Sequence, residues 1–364
     1  MRHVSAAVLF LVASWIPSTQ ADALPVFAHR YGLTCGTCHS TVPHLSAFGN
    51  AFLRAGFRPP PGFERQPDVF PVAMKINLQY SSFPDPNGLP KAIVDEVELL
   101  SSGPLARHYA YRMEQYIVDG GEPGLTRDAW LAYASRPAFG DTAPSLRFTA
   151  GQFTLPLPVD PETQRETINH YLIYDQQVGN NPFDFFNDGI GVDAAYGRQV
   201  NGSEVELLVL KGHDPLSGLP TSGASTMTYA QTTASGATFS LYALRGMRSF
   251  GSVTDEFYRE SAGLTFVAGK LQTDLVAQRG GDGAADFAAT PASSGGGFAQ
   301  ARWAFSPAVT ALARYDFTSD TFVGAQHSLT ATLVVRVQRN SKVTIEDVSA
   351  SGHKTFNAAY LFAY

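Results

Sequence analysis

From residue 71 to Tyr364, apolar residues recur at every second position in segments of about ten residues. In 106–118, Tyr109, Tyr111, Met113 and Ile117 share one face, while His108, Arg112, Glu114 and Tyr116 share the other. Val205, Leu207 and Val209 alternate with Glu204, Glu206 and Leu208. Leu271, Thr273, Leu275 and Ala277 alternate with Gln272, Asp274 and Gln278. Val309, Ala311, Ala313, Tyr315 and Phe317 alternate with Thr310, Arg314 and Asp316. A period of two means strands with two unlike faces. A water-soluble sandwich alternates too, so the connections decide.

Strands are expected near 72–83, 91–101, 106–118, 124–136, 144–156, 188–199, 203–212, 225–233, 236–248, 257–267, 271–279, 296–305, 308–318, 325–338, 342–349 and 354–364. That is about sixteen, within a range of roughly fourteen to eighteen. The long connections 157–187, 213–224 and 280–295 all fall on one side. The short ones, such as Asn201-Gly202, Ala234-Ser235 and Ser306-Pro307, fall on the other. Outer-membrane barrels segregate loops this way. The chain also ends on alternating aromatics, Phe356, Tyr360, Phe362 and Tyr364, of the kind that mark a membrane interface. The expected fold is mainly β: a transmembrane antiparallel β-barrel over 71–364, wide enough for an aqueous lumen. The 157–187 connection carries Asp160, Glu162, Arg165, Glu166, Asp175, Asp184 and Phe185-Phe186. It either folds inward and narrows the pore or, as exposed loops ordinarily do, carries solvated charges.

The N-terminus reads as a secretory leader, residues 1–21. Arg2 is followed by an apolar run from Val4 to Ile16, too short to span a bilayer, and a small-residue cleavage site at Ala21 or Ala23. Arg2 is the only charge in the leader, so its removal takes the formal net charge from −6 to −7. A mildly acidic exported chain is a poor nucleic-acid binder. No GxSxG or similar catalytic constellation occurs.

Both cysteines of the chain lie in Cys35-Gly36-Thr37-Cys38-His39. CxxCH is the attachment pattern of one covalent haem c, with Cys35 and Cys38 as thioether positions and His39 as the axial iron ligand. A redox-active cysteine pair would sit in a βαβ setting, which is lacking here, and structural zinc sets need more thiolates. Residues 22–70 therefore read as a small α-helical haem domain. Leu45, Phe48 and Phe52 form a helix face, Gly56 terminates it, and Arg58-Pro59-Pro60-Pro61-Gly62 forms a semi-rigid linker. His44 lies too close to His39 to reach the opposite side of the ring. Met74 and His29 are the candidates for a sixth ligand, beside an open or water-filled position.

The run Leu24 to His39, continued by Pro43, Leu45, Phe48-Gly49, Phe52 and Gly56-Phe57, resembles the single-haem segment of fused cytochrome–porins of iron-oxidising bacteria. Arg127-Asp128-Ala129-Trp130 and Ala150-Gly151-Gln152-Phe153 are similar to porins of the phosphate-selective type. The resemblance implies an outer-membrane protein of a Gram-negative bacterium, with the haem in or at the barrel. It would pass electrons from an extracellular donor such as Fe(II) to a periplasmic c-type cytochrome or other soluble carrier. Two departures, His29 in place of a basic residue and a short barrel, leave the donor open. Because the hydrocarbon layer is about 30 Å thick, a single haem serving as a conduit has to sit inside the lumen. The alternative is a diffusion porin with a haem-bearing periplasmic plug, in which lumen-facing Arg112, Arg147 and Arg314 favour anions.

Overall fold

A computed structural model describes residues 26–63, 71–84, 90–185, 189–198, 201–211, 223–338, 340–350 and 352–363. The leader, residues 64–70 between the linker and the barrel, and Tyr364 lie outside the described residues, as does the side chain of His29.

The N-terminal segment comprises helices α1 (Val26–Tyr31) and α2 (Cys35–Cys38), a small antiparallel pair β1 (His39–Thr41) and β2 (His44–Leu45), and helix α3 (Ala47–Arg54). The Ser46 hydroxyl caps α3 by accepting from the Gly49 amide. The helix gives way at Gly56, which takes φ +64°, followed by Phe57 at φ +62°. A left-handed pair of residues reverses the chain, and a glycine tolerates it best.

The barrel begins with β3 (Ala73–Pro84), β4 (Pro90–Ala106), β5 (Tyr109–Asp119) and a short β6 (Glu122–Pro123) that extends the same edge. It continues through β7 (Thr126–Ala134), β8 (Pro144–Gln152), β9 (Ile190–Arg198), β10 (Ser203–Lys211), β11 (Ser225–Ala234) and β12 (Ala237–Phe250). The last strands are β13 (Val253–Ala268), β14 (Leu271–Asp282), β15 (Ala292–Ser306), β16 (Val309–Asp320), β17 (Gly324–Gln338), β18 (Ser341–Ala350) and β19 (His353–Ala363). Setting β6 aside, these are sixteen antiparallel strands, closed by β19 against β3 with Ala363 opposite Lys75 and Asn357 opposite Ser81. Closure leaves no strand edge unpaired, the condition for crossing hydrocarbon with strands.

The two faces of the alternation are inverted relative to a soluble protein. Val205, Leu207, Val209, Leu275 and Tyr315 face outward and are about half exposed, while Glu204, Glu206, Asp274, Arg314 and Asp316 are buried inside. An apolar exterior suits lipid and a charged interior suits a lumen. Placing a charge on the outer face, Leu275→Arg, is expected to cost about 2–4 kcal/mol if the site lies near the bilayer midplane. Guanidinium titration of the barrel in lipid vesicles measures it, and an unchanged midpoint would mean that this face does not meet hydrocarbon.

One expected loop is shorter than its sequence suggests. Gly280 and Gly281 pair with Ser294 and Ser293, so β14 and β15 extend into what reads as a glycine-rich connection. A Cβ at Gly280 would lie 2.7 Å from Arg259 Cδ, so the glycine gives room to a buried guanidinium within the ladder.

Residues 153–185 fold into the lumen instead of standing outside. Phe153, Leu155, Leu157, Val159, Tyr171, Ile173, Tyr174, Phe183 and Phe185 form one core with Leu208, Leu210, Met227, Tyr229, Tyr242, Leu244, Phe257, Val276 and Phe298 of the barrel wall. Tyr171 stacks on Phe298 at 4.3 Å. Each large side chain so buried contributes about 1.5–3 kcal/mol of burial free energy. This explains the switch along β10, where the inward face runs Glu204, Glu206, Leu208, Leu210. The acids face open lumen and the leucines face the folded-in loop.

Candidate functional site

α2 is a single turn, so Cys35 and Cys38, three residues apart, lie on one side of it as free thiols. Burial pushes both upward, Cys38 to about 11 with a further push from Cys35. Burial pulls the His39 imidazole down to about 4, against the opposing hydrogen bond to Pro43 and helped by His44, Lys342 and Arg336 nearby. The ring is therefore neutral at physiological pH. Its Nδ1–H donates to the Pro43 carbonyl at 3.0 Å, which leaves Nε2 with its lone pair. A backbone acceptor on the second ring nitrogen is how metal-ligating histidines are oriented. Two adjacent thiols and a neutral, oriented imidazole fit haem c. When bound, such a group supplies a one-electron redox centre. The cavity that Cys35 and His39 share with Arg336 and Lys342 is about 10 Å³, so a porphyrin joined to them would displace side chains packed there.

The segment sits in the short-turn mouth of the barrel. Arg302 of β15 donates from Nη2 to Ser40 Oγ at 3.1 Å and to Thr41 Oγ1 at 3.2 Å. Arg336 of β17 donates to the Ser40 carbonyl at 2.6 Å, and His44 Nε2 bonds Gln272 Oε1 at 3.0 Å. Arg54 pairs with Glu204 at 3.3 Å, while Arg58 donates to the Tyr109 carbonyl at 2.9 Å. Apolar packing adds to these polar anchors. Phe27, Phe52 and Phe57 pack together, Phe57 stacks on Trp130 of β7, and Phe48 meets Phe139. α3 crosses α2 so closely that a Cβ at Gly49 would lie 2.0 Å from the Cys38 carbonyl oxygen. Only glycine fits that crossing.

The segment and the inward loop also share anchors. Arg302 binds Glu166 of the loop as well as Ser40 and Thr41, with Nη2 3.2 Å from Glu166 Oε1. Trp130 touches both aromatic clusters. Further along, the Ile168 and Asn169 amides donate to Glu346, at 2.9 and 2.7 Å. Arg314 donates to Thr167 Oγ1 at 2.8 Å and lies 4.4 Å over the Tyr171 ring. Asn181 Nδ2 reaches Asp255 and Asp282 at 2.8 and 3.0 Å. Sequence reading had not singled out Arg302, Glu346 or Asp255 for any role.

Between α3, the wall and the loop lies a cavity of about 480 Å³, lined in part by Arg54, Asp128, Arg147, Glu162, Asp193 and Glu206. Of its arginines, Arg54, Arg112 and Arg147 are paired with carboxylates, and Arg58 bonds backbone carbonyls. Arg112 meets Asp128 at 2.8 Å and also Glu114 and Glu162, and Arg147 meets Glu206 at 3.2 Å and Asp193 at 3.8 Å. Arg314 pairs with Asp316 at 2.7 Å. The three arginines do face the lumen as expected, but each is neutralised by carboxylates, so they do not present free positive charge to an anion. Carboxylate oxygens of Glu114, Asp128 and Glu162 lie within 4.8 Å of one another, and the Arg112 guanidinium supplies the positive charge there.

Of the proposed sixth ligands, Met74 is not brought to His39. Lys75 reaches inward to Glu96 and Glu98, so Met74, one residue away on the pleat, shares the outer face with Leu78 and Tyr80. His29 lies in α1, and its side chain is outside the described residues. His44 is held by Ser40 and Gln272.

No protein-family model matches the chain, and no curated protein matches it by sequence. Solved structures do match. An anion-selective porin from Comamonas acidovorans superposes with TM-score 0.59 at 9% identity, covering 80% of this chain and 98% of that one. Salmonella typhi OmpF, in complex with daunomycin, gives 0.57 at 10% identity over 80% and 97%. The outer membrane channel DcaP of Acinetobacter baumannii gives 0.56 at 10% identity over 80% and 96%. At such identities the likeness is one of fold: the strands from Ala73 to Ala363 close a sixteen-stranded barrel of the porin type.

Proposed function

We propose that the chain is an outer-membrane porin-type channel for small solutes whose periplasmic mouth carries one haem c, joined through Cys35 and Cys38 with His39 on the iron. The observation that carries the channel reading is the closed barrel with an apolar exterior and a charged lumen, narrowed by residues 153–185. The donor set of Cys35, Cys38 and His39 supports the haem. Selectivity then comes from paired charges that line the passage, with no net field from arginine alone.

A second reading is favoured by one observation, the seating of the CxxCH turn inside the mouth against β15 and β17. A haem there would serve as an electron conduit with an extracellular donor such as Fe(II) entering the lumen from the long-loop side and a periplasmic cytochrome docking on the other. Reconstitution in liposomes separates the two readings. Flux of small solutes is expected for the channel. Reduction of an internal haem by external ferrous iron is expected for the conduit. Absence of solute flux, alongside haem reduction, would overturn the first reading in favour of the second.

A further inference from the structure

Lysine and arginine are costly on a wall that meets hydrocarbon, and the cost falls only near the headgroups. Three such side chains nevertheless project from the outer face of this barrel in one sector. Lys211 of β10, Arg245 of β12 and Arg279 of β14 are all exposed, in line with Val209, Ala243 and Leu275 on the outward side of their strands. Each is the ninth residue of its strand, counted from Ser203, Ala237 and Leu271 at the short-turn end. At about 3.3 Å per residue and the tilt of barrel strands, all three stand level, about 20 Å from those turns. That is the far margin of an apolar band about 25 Å tall. Arg245 is opposite Thr226 and Tyr258, and Tyr258 is opposite Gly281, so neighbouring cations are two strands, about 10 Å, apart. A Cβ at Gly281 would lie 2.6 Å from Tyr258 Cε1, so the bare glycine lets the ring lie over β14 beside Arg279. Glu260 pairs with Arg279 at 2.6 Å and Glu256 is exposed on the same strand, which leaves three cations against two acids. An exposed pair of this kind is weak and yields to a stronger anion.

We propose that the outer face of β10 to β14 binds a phosphorylated glycolipid of the outer leaflet, with Lys211, Arg245 and Arg279 on its phosphates and Leu241, Leu264 and Leu275 along its acyl chains. The occupant follows from position and charge. The site lies on the wall that faces lipid, and its three leucines are exposed there, so its ligand is a lipid. Its cations stand on the long-loop side, away from the N-terminal segment, so that lipid belongs to the outer leaflet. Cations spread over about 20 Å suit more than one anionic group, and phosphate takes the arginine fork with two parallel hydrogen bonds. The proposal needs the barrel's orientation, with the N-terminal segment in the periplasm, and is independent of both the haem and the solute.

The test uses the full mature chain purified from outer membranes in a non-ionic detergent, with binding of added bisphosphorylated lipid A, and of its phosphatase-treated form, read by native mass spectrometry. The wild-type chain is expected to bind the phosphorylated form at least tenfold more tightly. Lys211→Gln, Arg245→Gln and Arg279→Gln each weaken that binding several-fold, and the triple variant loses the preference. Lys354→Gln removes a cation opposite Ser349, itself the ninth residue of β18, and so at the same level outside the sector; binding stays at the wild-type value. Heat-modifiable migration confirms that each barrel is folded, and the single variants carry the test if the triple one does not fold. Equal affinity for the two lipid forms, unchanged binding in the sector variants, or a loss in Lys354→Gln as large as in Arg245→Gln would overturn the site. Phe287, 68% exposed in the connection after β14, checks the orientation. In Phe287→Cys a membrane-impermeant maleimide is expected to label intact cells, and labelling only after lysis would overturn the orientation and the proposal together.

Discussion

Replacing Arg302 by leucine is expected to loosen two segments at once. The guanidinium and its partner Glu166 are both nearly inaccessible to water. Removing one member of such a pair leaves the other charge buried and alone, a loss of about 3–5 kcal/mol. The same side chain holds Ser40 and Thr41, directly after His39. Hydrogen exchange in the purified chain reads both sides. The Ile168 and Asn169 amides, now bound to Glu346, report on the loop, and the Ser46 amide, bound to the Cys38 carbonyl, reports on the N-terminal segment. Both are expected to exchange faster by orders of magnitude. Glu166→Gln, which touches only the loop, is expected to speed exchange at Ser46 as well, because coupling between two sites is reciprocal. Acceleration confined to one segment would show that they are held independently.

The second large effect concerns the cofactor. Changing both Cys35 and Cys38 to serine is expected to reduce covalent haem from one per chain to none. The barrel should still fold, because neither residue belongs to a barrel strand and the closing ladder between β19 and β3 is untouched. Haem staining after denaturing electrophoresis reports the first outcome and heat-modifiable migration the second. A double variant that keeps covalent haem would exclude the thioether assignment.

The barrel was legible in the sequence because lipid imposes an unusual rule on it. The alternation of Val205, Leu207 and Val209 with Glu204 and Glu206 suits a soluble sheet as well, so it was the segregation of long and short connections that pointed to lipid. With the acids inside and the valines out, the strand makes sense. Strand number followed from counting the alternating segments, and the count of sixteen held. Glycines blurred the boundaries. Gly280, Gly281 and Gly295 read as loop, yet each sits in the ladder.

The inward fold of 153–185 left a trace that went unread. Leu208, Leu210, Met227 and Leu244 occupy positions that alternation assigns to the lumen, where apolar residues have no place unless something covers them. Their covering loop could have been inferred from that violation. The electrostatics could not. Arg302 meets Glu166 across 136 positions of chain, and Arg314 meets Thr167 across 147. Only the closed barrel brings such residues together. The lumen-facing arginines show the limit in part: Glu114 and Asp316 stand two residues from Arg112 and Arg314 on the same strand face and were readable, while Asp128 and Glu206 reach Arg112 and Arg147 only through strand register. Met74 is turned away from the lumen for a local reason. The pleat that turns Lys75 inward turns Met74 out.

The most direct test of the whole account is the intact mass of the mature chain isolated from the outer membrane of cells able to mature c-type cytochromes, measured under denaturing conditions. The account predicts a chain in the outer-membrane fraction whose mass exceeds that of its polypeptide by one haem. A folded outer-membrane barrel at the bare polypeptide mass would contradict it.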